Sequence, residues 1–203
     1  MKTMKTILFA VALLIGVNAY AQDGRAEFGV KAGLNMSTFN GDYEDTKAKI
    51  GFNVGVTLDY ALTDARDWYL LTGLEYTTKG TKFKKIAGIE QSINAAYLQL
   101  PIHAGYKFDV TETTRLSFHA GPYLAYGVNG KYKIKSNGVE VNTDTFDDNN
   151  LKRFDFGVGL GVGAEFGKIG LGLGYDFGLL NVSDNKNITV RNANAYLTVG
   201  YKF

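Results

Sequence analysis

The chain has 203 residues, no cysteine, and 22 basic against 20 acidic side chains. This length favours a single domain. The absence of cysteine excludes disulfides, and we therefore also expect no lipid anchor of the kind that is attached to an N-terminal cysteine. The near-neutral charge balance argues against nucleic acid as a partner.

The first 21 residues have the pattern of a cleaved secretory signal peptide. Lys2 and Lys5 precede an apolar run over residues 7–17, and Ala19-Tyr20-Ala21 fits an A-x-A cleavage site. The run is shorter than the roughly 20 apolar residues that a spanning helix needs. We therefore expect residues 1–21 to be removed and the mature domain to occupy residues 22–203.

Eight segments of the mature chain alternate between apolar residues and small or polar residues, which predicts strands with two different faces. In chain order they cover residues 28–36, 50–60, 68–76, 96–108, 116–126, 154–166, 169–177 and 195–203. The connections alternate between long polar stretches and short turns, and none of them has helical periodicity. Pro101 lies inside the fourth segment, where it predicts a bulge or a lost ladder hydrogen bond.

The sixth and seventh segments form the clearest predicted hairpin. Gly167-Lys168 fits a two-residue type II′ turn, which pairs Phe166 with Ile169 and puts the apolar residues of both strands on one side. The opposite side is a row of glycines, which we expect to make room for long side chains of other strands. Residues 159–164 also match G-x-G-x-x-A, but the dinucleotide-binding fingerprint requires a following helix, and the strand alternation continues instead.

The apolar face is almost free of charge in all eight segments, whereas the other face carries charges of both signs. A soluble barrel would place its apolar face inside, so we assign the apolar face to lipid and the charged face to a narrow lumen. Aromatic residues cluster near both ends of the segments, as in the interfacial girdles of membrane barrels. We expect a lumenal polar network of Lys31, Asp59, Glu75, Arg115, Asp155, Glu165, Asp176 and Lys202.

The predicted fold class is therefore an all-β, eight-stranded, antiparallel, up-and-down transmembrane β-barrel with short periplasmic turns and long extracellular loops. Eight strands leave an interior just wide enough for side chains, so we expect no diffusion pore. The expected location is the bacterial outer membrane, reached with the cleaved signal peptide.

Six segments carry a resemblance to the small outer-membrane β-barrel domain family common in Bacteroidetes, sometimes called PorT-like. They are FGVKAGLN (28–35), LLTGLEYTTKG (70–80), YLQLPIHAGYKF (97–108), HAGPYLAYG (119–127), FDFGVGLGVGAEF (154–166) and LGLGYDFGLLNV (171–182). The resemblance implies location and fold, and one class of members is tied to the type IX secretion system. It also implies that Tyr201 and Phe203 belong to the aromatic-ended signal read by the barrel-assembly machinery.

Two constellations suggest chemistry. His103 and His119 face inward by strand parity and lie roughly opposite each other, one position out of register. With Glu75 or Asp59 they are weak candidates for a metal site, and we favour a lumenal hydrogen-bond network. Ser117 shares the face of His119, as in barrel lipid hydrolases, but both residues point away from the lipid. We therefore expect no enzymatic activity and no cofactor.

The predicted long loops supply candidate binding surfaces. Lys79, Lys82, Lys84 and Lys85 are placed where they would contact lipopolysaccharide phosphates or water. KYKIK (131–135) is expected to prolong a hairpin above the membrane and to offer an edge for β-augmentation, and TDTFDDNN (143–150) to be a solvated tip.

Three functional hypotheses remain open. The first is a non-enzymatic membrane scaffold whose extracellular loops bind or contact surfaces; the second is an accessory component of a type IX-like secretion or assembly complex; the third is a lipid-modifying enzyme. Expected partners are outer-membrane lipid and lipopolysaccharide, the barrel-assembly machinery, and a protein bound through the loops. We expect a monomer.

Overall fold

A computed structural model describes residues 24–42, 46–85, 88–136, 139–146, 151–185 and 187–203. The proposed signal peptide and its boundary with the mature domain lie outside these residues. The described chain forms nine strands: β1 Ala26–Gly41, β2 Thr46–Ala61, β3 Trp68–Phe83, β4 Glu90–Thr111, β5 Thr114–Ser136, β6 Val139–Asp144, β7 Phe154–Phe166, β8 Ile169–Gly178 and β9 Val190–Lys202. No helix in this part of the chain is long and apolar enough to cross a membrane.

Eight of the strands close into an antiparallel ring, in the order β1-β2-β3-β4-β5-β7-β8-β9 and back to β1. This confirms the predicted up-and-down barrel. The ninth strand, β6, was not predicted as a separate strand; it pairs with the distal part of β5, from Lys131 to Ser136. The expected prolongation of a hairpin by KYKIK is therefore confirmed.

Two connections predicted as long polar loops are instead continuations of strands. β1 runs on to Gly41 and β2 begins at Thr46, while β3 continues to Phe83 and β4 begins at Glu90 rather than near residue 96. The apolar alternation stops earlier than the strands do, because a β-ladder requires only paired backbone groups and not an apolar outer face. Beyond the alternating residues, the backbone pairing continues without an apolar face.

The connections define two ends of the barrel. At the turn end lie the connections 62–67, 112–113 and 167–168. At the hairpin end lie the strand ends Gly41 and Thr46, Phe83 and Glu90, Ser136 and Val139, Asp144 and Phe154, and Gly178 and Val190. The ladder from Phe166↔Ile169 to Val162↔Leu173 confirms the predicted β7–β8 register. Gly167 has φ +59°, as the first central residue of a type II′ turn requires.

The β3–β4 ladder is interrupted near Pro101, as expected. Paired residues stop at Thr72↔Ile102 and resume at Glu75↔Gln99. Proline has no N–H to donate, so the ladder loses a bond at this point.

The outer surface of the barrel is a belt of exposed apolar side chains. Leu160, Leu173 and Leu34 are 49%, 55% and 61% exposed, respectively, which matches the side that was assigned to lipid. Exposed aromatic residues border the belt at the turn end and at the hairpin end: Tyr60, Trp68, Tyr106, Phe108, Phe166, Tyr201 and Phe203 at the first, and Phe52, Tyr126, Phe154 and Phe177 at the second.

Candidate functional site: the barrel lumen

Two lysines hold a cluster of carboxylates just inside the turn end. The Nζ atoms of Lys107 and Lys202 each lie 2.6 Å from Asp59 Oδ2, and 2.9 Å and 2.8 Å from Glu165 Oε1. Glu27 joins them, 2.8 Å from Lys202. Charges of opposite sign at this spacing compensate one another inside a narrow barrel, so these ion pairs link β1, β2, β4, β7 and β9.

Arg115 lies at the rim of this cluster. Its Nε donates to Asp109 Oδ1 at 2.8 Å and its Nη1 to the hydroxyl of Tyr69 at 3.3 Å. Of the eight network residues expected from the sequence, Arg115, Asp59, Glu165 and Lys202 therefore lie at the turn end.

The middle of the lumen holds a second polar layer. Lys31 Nζ lies 2.6 Å from Glu75 Oε1. Asp176 Oδ2 accepts hydrogen bonds from Gln99 Nε2 at 3.1 Å and from Asn194 Nδ2 at 3.4 Å. The layer thus joins residues from separate strands on both sides of the ring.

The two histidines belong to this middle layer. Their rings stack with centroids 5.1 Å apart and planes at 17°, and the two Nδ1 atoms are joined by a 3.0 Å hydrogen bond. His119 is opposite Gly105 in the ladder, so His103 is two residues out of register with it rather than the one position expected. Each ring lies over a glycine of β7, with His103 against Gly159 and His119 against Gly161. The glycine row makes room for lumenal side chains, as expected.

This geometry supports neither the metal-site hypothesis nor the lipid-hydrolase hypothesis. Among the described residues, no group of three or more His, Cys, Asp or Glu side chains is arranged to hold a metal ion. The hydrogen bond that His119 makes goes to His103, not to Ser117, whose Oγ lies beside Gly163. The histidine pair is arranged as a hydrogen-bonded stack between two strands.

A buried ion pair forms the third layer, towards the hairpin end. Lys79 Nζ lies 3.5 Å from Asp155 Oδ2, and neither side chain is exposed to solvent. Asp155 Oδ2 also accepts from Tyr123 Oη at 3.2 Å and from Asn192 Nδ2 at 2.9 Å, while the Lys79 ammonium sits 4.3 Å from the centre of the Tyr123 ring. The expectation that Lys79 belongs to an exposed loop is therefore wrong.

An apolar plug closes the lumen above this pair. Its buried members are Phe39, Ile93, Ala95, Tyr97, Tyr123, Ala125, Phe146, Leu151, Val182 and Val190. Phe146 packs edge-on against Tyr97 with ring centroids 5.6 Å apart, and the neighbouring Thr145 is buried. Both residues had been expected in a solvated tip; that expectation is wrong for them, and residues 147–150 lie outside the described chain.

The cavities follow the same layering. An open cavity of about 320 Å³ at the turn end is lined by Glu27, Arg115, Glu165 and Lys202. Two smaller ones, of about 150 and 130 Å³, lie around the histidines. The first of these shares Glu165 and Lys202 with the open cavity. The lumen is therefore a cup that opens at the turn end and ends below the apolar plug.

Sequence reasoning missed three of the charged lumenal residues. Glu27, Lys79 and Lys107 were not in the predicted network, although Lys79 has the strand parity of Glu75 and Lys107 that of His103. Strand parity was the available signal for both lysines. Glu27 lies in the polar lead before the first alternating segment, where no periodicity indicated an inward face.

The chain ends on the outer surface of the turn end. The backbone N–H of Phe203 donates to the carbonyl of Phe28 at 3.0 Å, and its ring contacts that of Tyr201 edge-on with centroids 6.1 Å apart. Both rings are exposed on the side that carries the apolar belt.

The chain is similar to several solved bacterial surface and outer-membrane proteins. The attachment invasion locus protein Ail of Yersinia pestis is 20% identical, with a TM-score of 0.42, over 88% of this chain and 99% of that chain. Neisserial surface protein A is 17% identical, with a TM-score of 0.48, over 88% and 99%. OprG of Pseudomonas aeruginosa is 12% identical, with a TM-score of 0.47, over 88% and 96%. No curated protein matches the chain.

A family model gives the more direct assignment. The model of the outer membrane protein beta-barrel domain matches residues 20–184, which is most of the chain and includes β1 to β8. The closed ring of eight strands and the apolar belt agree with that match. The chain therefore belongs to the outer membrane protein beta-barrel domain family.

Proposed function

We propose that this protein is a non-enzymatic scaffold in the outer membrane that uses its hairpin end to bind components of the cell surface. The observation that carries the proposal is the contrast between the filled lumen and the strand that projects from the hairpin end. The lumen is filled by ion pairs and closed by the apolar plug, which argues against transport, whereas β5 continues from Tyr126 to Ser136. At about 3.3 Å per residue this extension is roughly 33 Å along the strand.

In this proposal the hairpin end faces the cell exterior and the turn end faces the periplasm. Short turns are typically periplasmic and longer connections extracellular in barrels of this type. The signal-peptide pattern supports export, with a mature N-terminus at Gln22 after cleavage behind Ala21. The narrower likeness to the PorT-like group rests on the strand motifs.

An accessory role in a secretion or assembly complex is the second candidate function, because β6 has an open edge. This strand pairs with β5 along one edge, and no strand of the described chain pairs with its other edge. An open strand edge is suited to adding a strand from a protein partner.

Single cysteines test the placement cleanly, because the natural chain has none. We expect Val141→Cys, on β6, to react with a membrane-impermeant maleimide in intact cells. Lys168→Cys, in the β7–β8 turn, should react only after the outer membrane is permeabilised. Labelling of Lys168→Cys alone in intact cells would reverse the orientation and overturn the proposal.

Binding through the hairpin end is tested with a photo-crosslinking residue at position 141 and, as a control, at position 168. We expect a discrete adduct from position 141 in living cells and none from position 168. An adduct that contains lipopolysaccharide supports the scaffold, and one that contains a defined protein supports the accessory role. If no adduct forms from position 141 in correctly folded protein, binding through the hairpin end is wrong.

A further inference from the structure

A row of lysines crosses the outer face of the strands at the hairpin end. Lys47 of β2 is directly opposite Lys82 of β3, Lys82 is opposite Ser92 of β4, and Ser92 is opposite Lys133 of β5. Lys82 and Ser92 flank the buried Thr81 and Ile93 in sequence, so the row lies on the face opposite the apolar plug. Like charges directly opposite each other destabilise a sheet, which makes this row an unusual arrangement.

The row lies in a cleft with too few carboxylates to balance it. The cleft has a volume of about 400 Å³ and is lined by five lysines (47, 82, 85, 133 and 135) and by Glu90 and Glu140. Glu90 pairs with Lys85 and Glu140 with Lys133, each at 3.1 Å, on half-exposed side chains. In the described part of the chain, Lys47, Lys82 and Lys135 form no ion pair within 4.0 Å.

The positive charges of the row also affect the pKa of a sixth lysine, Lys49. Lys49 lies beyond the aromatic border residue Phe52, and its ammonium donates to the carbonyl of Ile93 at 3.3 Å. Burial, together with the positive charges of Lys82 and Lys133, lowers the pKa of Lys49 to about 8. The cleft is therefore a place where an anion would relieve repulsion that the protein leaves uncompensated.

The height of the cleft decides which anion fits. Lys47, Lys82 and Lys133 lie three, six and five residues beyond Ile50, Tyr76 and Val128, the last large apolar side chains on the outer faces of their strands. With about 3.3 Å per residue and a strand tilt near 40°, this is roughly 8–15 Å above the apolar belt. The headgroup layer of a bilayer adds only about 5–8 Å on each side. A phospholipid phosphate reaches only the lower limit of this range, whereas phosphate on the sugars of a long glycolipid headgroup lies within the whole of it.

We propose that the lysine cleft formed by Lys47, Lys82 and Lys133 binds the phosphorylated sugars of an outer-leaflet glycolipid, with the acyl chains of that lipid against the apolar belt below. The proposal rests on the proposed function, because it needs the hairpin end outside the cell. Lys47 and Lys82 supply two ammonium groups on adjacent strands, and Ser92 supplies a hydroxyl between Lys82 and Lys133.

The test measures binding of the folded full-length mature barrel, in zwitterionic detergent, to rough lipopolysaccharide with a phosphorylated core. The same lipopolysaccharide after chemical dephosphorylation, inorganic phosphate and heparin serve as comparison probes. The variants are Lys82→Gln with Lys133→Gln, the charge-retaining Lys82→Arg, and Lys152→Gln as a control at the hairpin end but outside the cleft. Retention of the heat-dependent gel shift identifies folded protein.

We expect the double glutamine variant to weaken binding of phosphorylated lipopolysaccharide by roughly tenfold or more, because two charge-assisted contacts are lost. Lys82→Arg and Lys152→Gln should bind as the wild type does, and raising the salt concentration should weaken binding of the wild type. Dephosphorylated lipopolysaccharide should bind the wild type as weakly as phosphorylated lipopolysaccharide binds the double variant.

Several outcomes would overturn the assignment. Unchanged binding by the folded double variant, or equal binding of dephosphorylated lipopolysaccharide, would exclude the phosphate site. Binding of inorganic phosphate or heparin with the same affinity as lipopolysaccharide would show that the ligand is a free anion rather than a lipid. In each of these cases the labelling and crosslinking results at position 141 stay valid, so failure of the lysine cleft is distinguishable from failure of the proposed function.

Discussion

At the scale of single residues, the lumen-facing glycines Gly161 of β7 and Gly170 of β8 differ in the space around them. A Cβ atom at Gly161 would lie 2.5 Å from His119 Nε2 and 2.9 Å from the carbonyl oxygen of Leu173, whereas one at Gly170 would meet nothing within 4 Å. We expect Gly161→Ala to lower the free energy of unfolding by about 1–3 kcal/mol through overpacking. Gly170→Ala is the matched control and should have little effect.

Urea unfolding of both variants in lipid vesicles measures the difference. Equal stability of the two variants would contradict the close approach of His119 to β7. Gly161 also shows how the filled lumen limits substitution, since even a small side chain there must displace a ring that is stacked on His103.

The buried pair of Lys79 and Asp155 gives a second prediction at this scale. Asp155→Asn leaves the Lys79 ammonium buried without its counter-charge, which typically costs about 3–5 kcal/mol. Adding Lys79→Met should recover most of that loss, because the apolar chain fills the same space beside Tyr123. A double-mutant cycle by urea unfolding measures the recovery; purely additive losses would show that the two charges do not interact.

At the scale of elements, a strand segment within the apolar belt is expected to respond differently from one outside the belt to the same substitution. Leu160 on β7 and Val141 on β6 are similarly exposed, at 49% and 55%. Leu160 lies in the apolar belt, where arginine costs about 2–4 kcal/mol at the bilayer midplane. Val141 lies on the projecting hairpin, where arginine meets water.

We therefore expect Leu160→Arg to destabilise the barrel strongly and Val141→Arg to leave its stability nearly unchanged. The unfolding free energies of the two variants in vesicles give the answer. The reverse order would mean that the belt has been assigned to the wrong side or the wrong height of the barrel.

The segment formed by β9 and the following Phe203 gives a prediction about assembly. We propose that Tyr201 and Phe203 form a signal for the barrel-assembly machinery. Phe203→Ala keeps the backbone bond to Phe28 but removes the exposed ring, so it should lower the amount of folded protein in the outer membrane without changing export from the cytoplasm. Phe203→Tyr keeps an aromatic ring and is the control. Equal folded amounts of the alanine variant and the wild type would refute the signal.

At the scale of the whole molecule, the layered lumen predicts a barrel that does not conduct. Ion pairs hold the turn end and the middle, and the apolar plug closes the hairpin end. We expect no steady single-channel current from the purified protein in planar bilayers, under conditions in which a large porin conducts. A reproducible ohmic current would show that the plug opens.

The strand faces and the β7–β8 hairpin were predictable from the sequence because they depend on local alternation. Phe166 pairs with Ile169 since a two-residue turn fixes the register directly. The ends of the strands were not predictable in the same way. β3 and β5 continue past the apolar alternation, and the polar residues there gave no sign of whether they belonged to loops or to paired strands.

The sequence by itself determined the two faces of the strands, the number of strands in the ring and the inward position of the charges within the alternating segments, because each alternating segment shows its own period of two. Only the tertiary structure decided which charges meet. Lys79 joins Asp155 across 76 positions of the chain, and Lys47 faces Lys82 across 35. Such partners are set by the closure and register of the ring, which place residues of different strands together, and no local pattern in either strand contains that information.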